Sequence, residues 1–229
     1  MLNELFQHLI AHFYIPLYLL TWIIAVYRYR RYFDTPLKYL PMVIIYTFFT
    51  ELLGYFIKYS NEFQFFSDDR FAWHNVIIYN IYQLVFFLFF FEVYRKTTKK
   101  PLVKKWIFYG SVSCVLIYLI NTFFCNPLHD QLTYAHIVVS LILIAVLVLY
   151  FKEKRTEENQ QPLRYNLLFW VSMGLFAFYT LFPVILTMYK LNLGITVNVY
   201  LRPILLGSIV LQYSCFIIGL LIGKRKAFR

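Results

Sequence analysis

Charged residues are scarce in this sequence, and their scarcity excludes the commonest class of protein. Of the 229 residues, 14% are charged, whereas 61% are hydrophobic and 22% are aromatic. Soluble globular domains carry about 25% charged and about 45–50% apolar residues. We therefore expect a membrane protein with one transmembrane domain over residues 1–229, because no stretch has the composition of a second, soluble domain.

Cysteine is rare as well. The three cysteines, Cys114, Cys125 and Cys215, are scattered without any CxxC spacing, and two of them fall inside apolar runs. This usage argues against a disulfide framework and against a zinc site built on thiolates.

Acidic residues are few beside basic ones, 11 against 22, which leaves a net charge of +11. The cations form four clusters separated by apolar stretches, at 28–38, 95–105, 152–164 and 224–229. No basic surface interleaved with aromatic residues is present, so nucleic acid is not an expected partner. The charge pattern indicates membrane topology instead.

Long apolar runs are abundant. A transmembrane helix needs about 20 mostly apolar residues, and seven segments satisfy that requirement. We predict an all-α, polytopic membrane protein with helices at about 7–27, 37–58, 73–94, 105–124, 133–151, 165–188 and 198–222.

The distribution of Lys and Arg predicts the orientation. With the N-terminus outside and the C-terminus in the cytoplasm, all but four of the 22 cations lie on the inner side, as the positive-inside rule requires. The four exceptions are Lys58, Arg70, Lys190 and Arg202. The first segment lacks a leading cation and a cleavage site, so we expect it to remain as a helix.

A glutamate interrupts the apolar stretch "FFTELLGYF" at 48–56. Intramembrane ionisable residues are candidates for function by default, and Glu51 would lie about 10 Å below the outer boundary. Other helices carry polar residues at a similar depth, which predicts a polar cavity in the outer half of the bundle. The candidate ligand-binding residues are Glu51, Tyr79, Asn80, Gln83, Thr180 and Arg202.

Within this set we expect an ion pair between Glu51 and Arg202, since a buried carboxylate needs a partner or a proton. For the uncharged members, the alternative to ligand binding is a structural role, in which they form hydrogen bonds between helices.

Three histidines are candidate ligands for a metal ion. "HLIAH" places His8 and His12 on one helix face, and His136 or Glu51 would have to complete the site from another helix. The glutamate of the HExxH signature is missing. We therefore expect no metal, no other cofactor and no catalytic residues, with these three histidines as the metal-ligand candidates.

The helix layout, Glu51 and the stretch "YNIYQLVFFLFF" at 79–90 resemble those of short, stand-alone seven-helix membrane proteins of Gram-negative bacteria. The resemblance covers most of the chain and implies a multi-pass protein of the inner membrane, surrounded by lipid. It implies no activity and no site residues.

Three functions remain open. The leading hypothesis is a receptor-like sensor that binds a small ligand in the outer cavity and signals to a partner through its basic inner loops. The second is a small-solute transporter, which the mismatched positions of Pro16 and Pro183 in the two halves disfavour. The third is a metal-dependent lipid hydrolase. "GLLIG" at 219–223 has GxxxG spacing, which can bring helices together within one chain or in a homodimer; Gly is common in membrane helices, so the spacing does not favour the homodimer.

Overall fold

A computed structural model of the protein describes residues 13–59, 63, 75–156, 162–191 and 200–225. Seven α-helices lie in these ranges, together with three short 3-10 turns at Tyr29–Arg31, Pro36–Tyr39 and Leu163–Tyr165. The described residues include no β-strand. The helices are α1 Tyr14–Tyr27, α2 Leu40–Tyr59, α3 Val76–Thr97, α4 Pro101–Thr122, α5 Thr133–Thr156, α6 Leu167–Lys190 and α7 Arg202–Ile222.

Each helix begins and ends within a few residues of its predicted bounds, except where charged residues extend it. Helix α3 continues to Thr97 because Glu92 forms ion pairs with Arg95 (2.7 Å) and Lys96 (3.0 Å) one turn further on. At the start of α6, the side chain of Asn166 accepts hydrogen bonds from the first backbone N–H groups. The predicted start of the first helix, residues 7–12, lies outside the described residues.

Six helices, α2 to α7, are long and apolar enough to cross a membrane, and the described part of α1 is a shorter apolar helix of 14 residues. The prediction of an all-helical, membrane-type fold is confirmed at this level. Helix α4 shows the apolar outer surface that lipid requires, since only 17% of its apolar window is buried inside the bundle.

The helices pack as a ring in chain order, because each helix contacts the next and α1 also contacts α7. Helices α3 and α5 also contact each other, so both have three helix neighbours and α4 packs against the outside of the pair. Helix α1 contacts both α2 and α7, whereas α2 and α7 have few or no contacts with each other among the described residues.

Helices α6 and α7 approach each other closely at two glycines. A Cβ added to Gly174 of α6 would lie 2.7 Å from the backbone carbonyl oxygen of Gln212, and one added to Gly219 of α7 would lie 2.7 Å from Cβ of Trp170. Gly219 is therefore buried against α6 of the same chain. The homodimer stays an open alternative, but the GxxxG face that could mediate it packs within the monomer.

The basic end of the bundle is where residues 28–38, 163–165 and 223–225 meet. Arg31 donates hydrogen bonds to the carbonyl oxygens of Leu221 and Gly223 (both 3.2 Å), at the C-terminus of α7. Arg225 forms an ion pair with Asp34 (2.8 Å). These contacts fix the C-terminus of α7 to the α1–α2 connection.

Tyr32 is a buried residue of the same α1–α2 connection. It is 1% exposed, and its hydroxyl donates a hydrogen bond to the carbonyl oxygen of Ala25 at 2.6 Å. Burial raises the pKa of Tyr32 above its ordinary value, so the hydroxyl keeps its proton and remains a donor.

The close contact at Gly174 predicts a stability difference between two glycine variants. Gly174→Ala should lower the free energy of unfolding by about 1–3 kcal/mol, because the backbone of α7 has to move away from the new methyl group. Gly207→Ala is the matched control in α7, since nothing lies within 4 Å of the position of its added Cβ. Thermal unfolding of both variants in detergent measures the difference, and equal midpoints would contradict the α6–α7 contact described above.

Candidate functional site

A cavity of about 310 Å³ lies between the helices at the end of the bundle opposite the basic end. Residues from or adjoining six of the seven helices line it, and only α4 contributes none. The lining consists of Tyr18, Thr47, Glu51, Asn75, Val76, Tyr79, Tyr82, Gln83, Phe86, Gln131, His136, Phe178, Tyr179, Phe182, Leu205, Ile209, Gln212 and Tyr213.

Glu51 faces this cavity because the 3.6-residue period of α2 puts it on one stripe with Thr47 and Gly54. Gly54 makes room for the neighbouring helix: a Cβ there would overlap the hydroxyl of Tyr79. The side chain of Asn75 also reaches α2, where its Nδ2 donates to the carbonyl oxygen of Gly54 at 3.0 Å. The absence of a side chain at Gly54 therefore allows α3 to present Tyr79 to Glu51.

The carboxylate of Glu51 has one hydrogen-bond partner among the described residues. The hydroxyl of Tyr79 donates to Oε2 of Glu51 at 3.1 Å. A carboxylate can accept about four hydrogen bonds, so most of its accepting capacity is not used by the described residues. Glu51 itself is half-buried.

Tyrosine hydroxyls and rings form much of the wall. Thr47 donates its single proton to the carbonyl oxygen of Val43 (2.9 Å), so in the 2.9 Å contact with Tyr82 the tyrosine is the donor. The rings of Tyr18 and Tyr213 lie 4.5 Å apart, centroid to centroid, and join α1 to α7. Five tyrosines and three phenylalanines line the cavity in all.

Two buried polar side chains on the wall lack partners among the described residues. Neither ring nitrogen of His136, which is 2% exposed, has a hydrogen-bond partner, and neither does Oε1 of Gln83, which is 8% exposed. The imidazole instead packs against the rings of Phe182 (4.8 Å) and Phe87 (5.2 Å). Burying a polar group without a hydrogen bond costs about 1–3 kcal/mol, so both side chains are suited to meet a ligand.

Of the six residues predicted to bind a ligand, the structure brings three to the cavity: Glu51, Tyr79 and Gln83. Asn80 is buried but points elsewhere. Its Nδ2 donates to the carbonyl oxygens of Pro127 (2.9 Å) and Asp130 (3.0 Å), and its Oδ1 accepts from the backbone N–H of Leu132 (3.1 Å). Asn80 therefore fixes the α4–α5 connection to α3.

Thr180 and Arg202 are exposed and do not line the cavity. The hydroxyl of Thr180 donates to the carbonyl oxygen of Phe176 within its own helix (2.6 Å). The expected ion pair between Glu51 and Arg202 is absent, although both residues are described. Helix α2 packs against α1 and α3 and has few or no contacts with α7, and the carboxylate is bonded by Tyr79 of α3 instead.

Several residues of the cavity wall were not predicted from the sequence, including Tyr18, Tyr179, Gln212 and Tyr213. Gln212 and Tyr213 gave a usable signal, since they interrupt an otherwise apolar run in α7. Tyr18 and Tyr179 gave none, because aromatic residues near helix ends are also typical of a membrane-interface belt.

The metal-site candidates are divided between described and undescribed parts of the chain. His8 and His12 lie outside the described residues. His136 lines the cavity, and the part of the chain that the structure describes contains no group of three or more His, Cys, Asp or Glu placed to hold a metal ion.

The revised role of Asn80 predicts a structural effect. Asn80→Ala should lower the free energy of unfolding by about 1–3 kcal/mol, because it leaves the N–H of Leu132 without its acceptor and two carbonyl oxygens without their donor. Thr180→Ala is the matched control and should change stability by less than about 0.5 kcal/mol. Thermal unfolding compares the two variants, and an equally mild effect of Asn80→Ala would contradict this role.

Comparisons with known proteins identify no relative of this chain. The chain matches no family model, no curated protein and no solved structure.

Proposed function

We propose that this protein is a receptor-like, seven-helix protein of a bacterial inner membrane that binds a small ligand in the cavity beside Glu51. In this proposal the N-terminus and the cavity face outward, the C-terminus faces the cytoplasm, and a partner reads the bound state at the basic end. The bacterial inner membrane is the location that the resemblance of the sequence implies.

The cavity is the observation that carries the proposal. Ligand sites are concave, mostly apolar, and contain a few convergent polar groups. At about 310 Å³ the cavity falls at the lower end of the usual range of about 300–1,000 Å³, which favours a small ligand. Glu51, Gln83 and His136 converge on it from three different helices.

Packing between the cavity and the basic end favours a receptor over a transporter. Phe86 at the cavity wall packs on the fully buried Phe90 (4.8 Å), and one turn further Tyr94 of α3 is hydrogen-bonded to Ser172 of α6 (2.8 Å). A through-path for a solute would have to separate these rings and this hydrogen bond. A receptor requires only that they shift.

Helix α7 offers a physical link between the ligand and the basic end. Gln212 and Tyr213 line the cavity, whereas the end of the same helix is held by Arg31 through the carbonyl oxygens of Leu221 and Gly223. A ligand that binds two conformations unequally shifts the population between them. A displacement of α7 would therefore alter the contacts of the α1–α2 connection, which a cytoplasmic partner could detect.

The orientation predicts a labelling pattern for two exposed residues. In a background with Cys114, Cys125 and Cys215 replaced by serine, Asn126→Cys should react with a membrane-impermeant thiol reagent added to cells from outside. Thr156→Cys, at the opposite end of α5, should react only after the membrane is opened. The reverse pattern would overturn the proposed orientation.

The cavity itself predicts a second pattern. In the same cysteine-free background, Ile209→Cys on the cavity wall should react with small, neutral methyl methanethiosulfonate in solution, because the cavity admits molecules of that size. Val171→Cys in α6, at a position that is 0% exposed, is the matched buried control and should react far more slowly. Equal, slow labelling at both positions would mean that the cavity is closed to small molecules, and the proposed function would fail.

A further inference from the structure

We propose that the ligand is a small organic ammonium ion carrying N–H donors, held by Glu51 among the tyrosine rings. This inference rests on the proposed function, because it names the chemical class of the ligand for the same cavity. It is carried by the charge, the ring content and the unpaired acceptors of the cavity wall.

Charge is the first argument. Among the residues that the structure describes, Glu51 is the one acidic residue on the wall, and no lysine or arginine lines the cavity. Arg202, the cation expected to neutralise it, lies outside the lining and is exposed. A carboxylate in low-dielectric surroundings with no protein cation beside it attracts a ligand of opposite charge more strongly than it would in water.

The aromatic wall is the second argument. Tyr18, Tyr82, Tyr179 and Tyr213 surround the cavity together with Phe86, Phe178 and Phe182. The face of an aromatic ring carries negative potential and attracts a cation lying within about 6 Å of its centroid. The same rings offer apolar surface to the carbon substituents of an organic cation, which an inorganic ion would not use.

Unpaired acceptors supply the third argument and favour an ammonium ion with N–H groups over a quaternary one. Oε1 of Gln83 is buried and has no donor among the described residues. Among the described residues Glu51 accepts only from Tyr79, so its carboxylate on the cavity wall can accept further hydrogen bonds. An ammonium group carries up to three N–H donors, so one ligand group could satisfy both acceptors.

Anionic ligands fit this wall poorly. A carboxylate or phosphate would meet Glu51 without a balancing lysine or arginine among the described residues of the wall. A neutral alcohol could donate one hydrogen bond, but it would gain nothing from the carboxylate charge or from the ring faces. Three probes of one shape and different charge therefore distinguish the classes: 3-methylbutylammonium, 3-methylbutan-1-ol and 3-methylbutanoate.

The experiment measures protection of Ile209→Cys from methyl methanethiosulfonate, in the cysteine-free protein at neutral pH. We expect the ammonium probe to slow labelling at concentrations at which the alcohol and the carboxylate have no effect. Glu51→Gln in the same background should raise the half-protecting ammonium concentration about tenfold or more, because a hydrogen bond to a charged group is lost. Glu92→Gln, a glutamate variant at the far end of α3, should leave protection unchanged.

A second variant pair tests the rings. Tyr213→Phe keeps the aromatic face and should retain protection by the ammonium probe, whereas Tyr213→Leu should weaken it several-fold. If Tyr213 had only a structural role, Tyr213→Leu would change the accessibility of Ile209→Cys to the same extent whether or not the probe is charged.

The outcomes separate this inference from the function on which it rests. Fast labelling of Ile209→Cys without protection by the ammonium probe, or with equal protection by the alcohol or the carboxylate, would overturn the ammonium assignment and leave the cavity standing. Undiminished protection in Glu51→Gln would also overturn it. Failure of Ile209→Cys to label at all would instead remove the proposed function.

Discussion

Hydrocarbon supplies no hydrogen bonds, and the structure of this protein depends on that constraint. Every backbone polar group within the membrane has to be satisfied inside the chain, which leaves helices as the spanning elements of this fold. Polar side chains are subject to the same requirement. They turn toward other helices, as Asn80 does toward the α4–α5 connection and Tyr79 toward Glu51. The cavity forms where such side chains converge without fully satisfying one another.

The elements of the fold could be predicted from the sequence because length and apolarity determine a membrane helix almost locally. The exact ends were less accurate, since α3 continues to Thr97 past its predicted end at 94 and α6 begins at Leu167, after the Asn166 cap. Helix neighbours could not be predicted in the same way. The GxxxG spacing of Gly219 and Gly223 is typical of helix contacts both between two chains and within one chain. Only the packing of α6 against Gly219 shows that this contact lies within the chain.

The candidate site was half predictable for a related reason. Helical period places Glu51 and Thr47 on one face, but it does not say which neighbouring helix that face meets. The pairing with Arg202 failed because depth in the membrane was taken as evidence of contact, while α2 and α7 have few or no contacts with each other among the described residues. At Thr180 the error was a single residue. Its neighbour Tyr179 faces the cavity, since a shift of one position turns a helical side chain by about 100°.

The hydrogen bonds of Asn80 have a consequence for biogenesis. Its partners, Pro127, Asp130 and the N–H of Leu132, lie 47 to 52 residues later in the chain. While the protein is being synthesised, α3 therefore enters the bilayer before the groups that satisfy this amide exist. The hydrogen bonds of the Asn80 side chain can therefore form only after the α4–α5 connection has been made, which orders the completion of this contact by the direction of synthesis.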